Sequence, residues 1–113
     1  MLKVKIGISL PNFGKAASKT AIDAIVKLAE RYNFDSLWTA DHLLPTKEYS
    51  NYGSILESLS TLSYLAGKTE QILLGTSVIV FPMREAVLFA KQAAAIQILS
   101  NNRLLLGLGA GYD

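Results

Sequence analysis

From Lys3 to Leu10, apolar Val4, Ile6 and Ile8 alternate with Lys3 and Lys5, the period of two expected of a strand, and Pro11, Asn12 and Gly14 end it. Ile22, Ile25, Leu28, Ala29 and Tyr32 then recur at helical spacing, which predicts a helix over 18–32. Ser18 is placed to cap its start, and Asn33 to close it in a left-handed conformation. Ser36–Thr39 predicts a second strand running into Ala40-Asp41-His42, followed by a polar loop over 43–53. Ser54-Ile55-Leu56-Glu57 has the form of a capping box and predicts a helix from there to Ala66, stopped by Gly67. Ile72–Val80 predicts a third strand, apolar except at Gly75, Thr76 and Ser77. After Phe81-Pro82-Met83, an alanine-rich helix is expected over 84–99, then a fourth strand over 104–108 that runs into Gly109-Ala110-Gly111.

The strand tips fall at Asn12, Asp41, Ser77 and Gly109, at intervals of 29, 36 and 32 residues. Strand–helix units of that length imply parallel strands with right-handed crossovers. Two architectures satisfy the pattern: an open doubly wound sheet, or the first half of an eight-unit barrel. No linker or low-complexity run interrupts the chain, so residues 1–113 are expected to form a single domain.

Composition narrows the class. Half of the 113 residues are apolar and 18% are charged, with a mean hydropathy of +0.29. Such a balance suits parallel strands buried on both faces, and surface hidden in an oligomer. A net charge of +2 without a basic stripe excludes a nucleic-acid partner. With no cysteine and one histidine, disulfides and a metal site are not expected. The start of the chain lacks the apolar core of a signal peptide, and no run approaches the roughly 18 apolar residues of a membrane span. A cytoplasmic protein with no membrane partner is the expectation.

In either architecture ligands gather at the carboxyl ends of the strands, so the tips outrank every other position. Asp41-His42 combines a carboxylate with the side chain that titrates near neutrality, a general acid or base; a turn-capping aspartate beside a solvated histidine explains the pair equally well. Asn12-Phe13-Gly14 could set a ring over a ligand, but a turn accounts for these residues more simply. Gly107-x-Gly109-x-Gly111 lacks the spacing of a dinucleotide loop, although it would let a flat ligand approach the backbone. Trp38 and Phe81 are expected in the core, and Arg84 at the start of a solvated helix face.

Three segments together resemble the luciferase-like flavin-dependent oxidoreductases, which include monooxygenases and deazaflavin-dependent reductases. Tyr32-Asn33-Phe34-Asp35-Ser36-Leu37-Trp38-Thr39-Ala40-Asp41-His42 is similar to the family's G-[FY]-D-S-[LV]-W-x-x-D-H. Leu74-Gly75-Thr76-Ser77-Val78 with Phe81-Pro82-Met83-Arg84 resembles its third strand and the loop after it. Ala90-Lys91-Gln92, Ser100-Asn101-Asn102-Arg103 and Gly107-Leu108-Gly109-Ala110-Gly111 resemble its third helix and fourth strand. Asn102 stands where the family has glycine, Glu85-Ala86 where it has a polar residue and proline, and Gln97 where it has aspartate.

The resemblance implies the first four units of a TIM-type (β/α)8 barrel, an α/β half barrel. It implies an oxidoreductase using flavin mononucleotide (FMN) or the deazaflavin coenzyme F420 on a small-molecule substrate. Asp41 and His42 would be the catalytic pair, with His42 giving or taking a proton during hydride transfer. Thr76, Ser77, Val78, Gly109 and Gly111 would line the cofactor, with a non-proline cis bond at Ser77–Val78. A half barrel leaves two strand edges open, which implies a homo-oligomer, strand 4 of each copy joining strand 1 of the other, or a complementary C-terminal half-barrel chain. The alternative to an enzyme is a truncated relic or fragment serving only as an assembly module.

Overall fold

A computed structural model describes residues 3–44 and 53–111. Four strands, β1 (Gly7–Ser9), β2 (Ser36–Thr39), β3 (Leu73–Val80) and β4 (Leu104–Gly109), form one parallel sheet in sequence order. Helices α1 (Lys19–Arg31), α2 (Ser58–Lys68) and α3 (Ala86–Leu99) connect them. Sequential parallel order without a switch point is the arrangement of a half barrel, so the doubly wound alternative falls away.

The two faces of the sheet differ in kind. Leu37, Leu74 and Ile79 point toward the helices and join Ile22, Val26, Leu62, Leu65 and Phe89 in one core. The opposite, concave face carries Gly7, Trp38 and Gly75 on neighbouring strands. Apolar runs therefore reflect burial against helices on one side and a partly exposed inner face on the other.

Each helix starts on a side-chain cap. Ser18 Oγ accepts from the Ala21 N–H, as its position predicts. Glu57 caps α2, accepting from Leu59 N and Ser60 N, so this helix opens at Ser58 rather than at Ser54. It also continues through Gly67 to Lys68. Glu85 does the same for α3 through Val87 N and Leu88 N, which moves that start from Arg84 to Ala86. Asn33 (φ 55°), Asn101 (φ 55°) and Asn102 (φ 63°) adopt left-handed backbone, which asparagine tolerates better than most residues.

Strand β1 is shorter than its alternation suggests. Ile6 N turns to the Asp35 carboxylate instead of a ladder carbonyl, and Val4 and Ile6 lie exposed on the edge. The segment before α2 instead folds back over the β1 tip: Phe13 bridges Ile55 antiparallel, Gly14 N donates to Ser54 O, and Leu56 N donates to Asn12 O.

At the amino ends of the strands, buried Arg103 gives each of its five N–H groups a partner. Nε donates to Ser100 O, Nη1 to Thr69 Oγ1 and Ile72 O, and Nη2 to Ala66 O and Thr69 O. One guanidinium thus ties the end of α2 to the turn before β4.

Candidate functional site

The carboxyl ends of β2, β3 and β4 converge on one region, and the way each is held there decides which side chains remain available. Asn12 is fully buried and clamps β1 to its neighbour: its Nδ2 donates to Ala40 O (2.8 Å) and Leu56 O (3.1 Å), and its Oδ1 accepts from Ala40 N (3.0 Å). The residue braces the tips, as the turn explanation anticipates, and leaves no polar atom of its amide for a ligand.

Asp41 is equally committed. Its Oδ2 accepts from Val80 N at 3.0 Å and its Oδ1 from Arg84 Nη2 at 2.6 Å. The same Arg84 nitrogen donates to Glu57 Oε1 at 2.8 Å. The Asp41 and Arg84 side chains are 1% and 8% exposed, so this is an internal ion pair and Arg84 is no surface residue. Burial disfavours the Arg84 charge, but Asp41 and Glu57 outweigh it and hold the guanidinium above its ordinary range. For Glu57, burial pushes the carboxyl up, whereas hydrogen bonds from Ser60, Arg84 and Leu59 prevail and hold it below the usual carboxylate range. Arg84 Nε is buried and makes no hydrogen bond among the described residues.

The carboxylate of Asp41 therefore joins the end of β3, the start of α2 and the residue before Glu85 of α3. Sequence reasoning missed Arg84 and Glu57, because no local pattern links residues 43 and 27 positions apart. Thr39 bonds Ser58 and Asp41 bonds Arg84, both toward the helices. Strand alternation then assigns Trp38, Ala40 and His42 to the concave side. His42 is half-buried there.

The β3–β4 pair is irregular at the same level. The Ser77–Val78 peptide is cis, as the family resemblance implies. The register jumps from Thr76 opposite Leu106 to Ile79 opposite Leu108, so the two residues between face a single β4 position. Thr76 is fully buried, and its hydroxyl donates to Gly107 O (2.9 Å) and accepts from Gly107 N (3.0 Å). That hydroxyl replaces the ladder bonds the bulge removes, and both its roles are taken up by β4. Ser77 and Val78 are exposed. A Cβ at Gly109 would stand 2.6 Å from a Val78 methyl, and one at Gly107 would stand 2.3 Å from Thr76 O. These glycines keep the backbone of β4 close to the bulge. Gly111 (φ 78°) approaches Val80 in the same way.

Two aromatic expectations resolve differently. Phe81 touches Phe89 edge-on at 5.4 Å but is itself 37% exposed and outside the core, so the expectation that it is a core residue is corrected. Trp38 lies outside the helix-side core, on the concave face, with Nε1 donating to Ser36 Oγ at 2.8 Å. The expectation of Trp38 in the helix-packed core is corrected, because its strand parity opposes that of Leu37.

At the amino ends of the strands, a separate cleft is lined by Lys3, Lys5 and Lys68 against Glu30, Asp35 and Glu70. Its charges balance and single out no ligand. Among the described residues no group of three or more His, Cys, Asp or Glu is placed to hold a metal. Among them, too, no helix is long and apolar enough to cross a membrane. The Pro45 loop expected over 43–53 lies mostly outside the described residues.

Parallel strand–helix units in sequence order define an α/β, barrel-type scaffold. Residues 4–113 match the luciferase-like monooxygenase family, and the chain belongs to it. It is 31% identical over 112 residues to an F420-dependent glucose-6-phosphate dehydrogenase of Amycolatopsis mediterranei, covering 98% of this chain and 32% of that protein. To the oxygenase component of a flavin-dependent trigonelline monooxygenase of Acinetobacter baylyi it is 29% identical over 87 residues, covering 77% of this chain and 23% of that one. The coenzyme F420-dependent tetrahydromethanopterin reductase of Methanopyrus kandleri superposes with a TM-score of 0.74 at 28% identity, over 98% of this chain and 28% of that one. The chain thus spans about a third or less of the length of these relatives.

Proposed function

We propose that residues 1–113 form one domain that supplies the first half of the active site of a flavin- or deazaflavin-dependent oxidoreductase acting on a small molecule. One observation carries this reading: half-buried His42, exposed Ser77 and Val78, and Gly107 and Gly109 occupy the carboxyl ends of adjacent strands. The fit to a flat ring is direct. Val78 is the exposed apolar contact, and Gly107 and Gly109 let β4 pack close against the bulge that presents it. FMN or coenzyme F420 would supply hydride acceptance and return.

The chain's own residues then divide the work. Val78 binds and orients the ring, Gly107 and Gly109 hold β4 against the bulge beneath it, and His42 holds or moves a proton at its imidazole. Asp41 keeps the β2 tip in place through Val80 and Arg84, a positioning role rather than proton transfer. Thr76 acts through Gly107, by fixing the bulge that presents Ser77 and Val78.

Completion of the scaffold belongs to the same proposal. β1 and β4 are both open edges, and Val87, Ile98 and Leu99 of α3 are 77%, 74% and 66% exposed. Unpaired strands beside apolar helix surface favour association. A complementary C-terminal half barrel or a second copy of the chain would cover them. A monomeric mass in solution at micromolar concentration would exclude the second copy.

Titration of the purified protein with FMN and with F420 tests the cofactor assignment. Saturable binding of one of them is expected. Failure of both to bind would favour the assembly-module alternative. His42→Ala is expected to retain folding and cofactor binding while abolishing turnover.

A further inference from the structure

We infer that Trp38 is the floor of the cofactor pocket and contacts the flavin or deazaflavin ring; this rests on the cofactor reading above. The indole is laid across three strands rather than packed among helices. A Cβ at Gly7 would fall 2.3 Å from Trp38 Nε1, and one at Gly75 would fall 2.5 Å from Cε3 and Cζ3. Neither position tolerates a side chain while the ring is there. Gly7 and Gly75 sit on the strands either side of β2, so two neighbours have been cleared for one indole. The Nε1–Ser36 Oγ bond of 2.8 Å pins its pyrrole edge and satisfies its only donor. What remains toward the hollow is an apolar aromatic surface with no hydrogen-bonding demand.

The residues above it fit that function. Along β2 the next concave position is Ala40 and the one beyond is His42. At about 3.3 Å per residue, Trp38 and His42 stand roughly 13 Å apart along the strand, separated on that face by one methyl group. Beside that gap lies Val78, one level above Gly75 across the cis bond and next to Gly107 and Gly109. A fused ring system fills the space, with the indole below, the bulge on one flank and the imidazole at the mouth.

Trp38 is the single tryptophan of the chain, which makes the test spectroscopic. An indole in van der Waals contact with excited flavin transfers an electron to it and darkens its emission. FMN and F420 are titrated separately into the protein and into its Trp38→Leu and Trp38→Phe variants, following affinity by anisotropy and the emission of the bound ring. Bound FMN is expected to be dark in the unaltered protein. Trp38→Leu is expected to restore its emission severalfold and to weaken binding roughly tenfold, the change that about 1.4 kcal/mol produces. Should Trp38→Leu lose its helical circular dichroism, Trp38→Phe decides alone: phenyl keeps an aromatic floor but does not quench flavin, so emission returns while affinity stays within about threefold. If neither cofactor binds the unaltered protein, the cofactor reading itself fails and takes this inference with it. If a cofactor binds but the Trp38 variants keep both its affinity and its dark state, the cofactor reading stands and the floor assignment is overturned.

Discussion

Replacing Asp41 with asparagine separates a structural carboxylate from a catalytic one. Asp41 serves two donors, Arg84 Nη2 at 2.6 Å and Val80 N at 3.0 Å, with its side chain 1% exposed. The amide keeps the shape but offers one acceptor oxygen in place of two, so one bond is lost. Removing a partner from a buried ion pair costs about 3–5 kcal/mol when the remaining charge is stranded. Arg84 is not stranded, because Glu57 Oε1 remains at 2.8 Å, although that carboxylate is a third exposed and screened. The expected loss is therefore that of one charge-assisted hydrogen bond, about 2–3 kcal/mol. At about 4 °C per kcal/mol, the melting midpoint falls by about 8–12 °C. Urea denaturation at neutral pH provides the value, and the Asp41→Asn, Arg84→Met double-mutant cycle should return a coupling above about 1 kcal/mol. A destabilisation under about 0.5 kcal/mol accompanied by complete loss of turnover would refute the reasoning, since the carboxylate would then act on the ligand rather than on Arg84.

Two further outcomes follow from the same physics. Arg103→Lys is expected to cost about 3 kcal/mol or more by thermal denaturation, because an ammonium cannot reach the five acceptors that the planar guanidinium bonds; a variant as stable as the original would show those contacts to be dispensable. Glu57→Gln probes the acid limb of stability. Glu57 is held below the ordinary carboxylate value, so its contribution is complete above about pH 4.3 and is lost as pH falls through the lower folded value. Glutamine keeps one acceptor oxygen of the two that serve Leu59, Ser60 and Arg84, so a cost of about 1–2 kcal/mol at neutral pH is expected, with a flatter decline below about pH 4.3; an unchanged acid limb would remove Glu57 from the network.

What the chain disclosed in advance was whatever is written in local periodicity. Ile22, Ile25, Leu28, Ala29 and Tyr32 announce α1 and Ser18 its cap, although Leu28 and Tyr32 lie exposed and Val26 takes the buried place beside Ile22 and Ala29. The starts of α2 and α3 were misplaced because Glu57 and Glu85 cap their own helices, a role that serine and aspartate fill more often. Strand parity was legible in principle at Trp38, yet hydrophobicity drew it toward the core; only the glycines across from it, on β1 and β3, show that the ring needs the other face. Arg84 was beyond reach for another reason. Its partners are brought together by strand order and crossover geometry, and an arginine between Met83 and Glu85 looks solvated in any short window.

The Arg84 contacts also bear on how such a scaffold diversifies. Asp41 stands before the segment over 45–52 and Glu57 after it, and one guanidinium binds both. The two flanks of that segment are thereby fastened to a common point. Doubling the length of an intervening loop costs only about 0.6 kcal/mol in closure entropy. Substitutions confined to residues 45–52 are therefore expected to leave the β2 tip and the start of α2 in place.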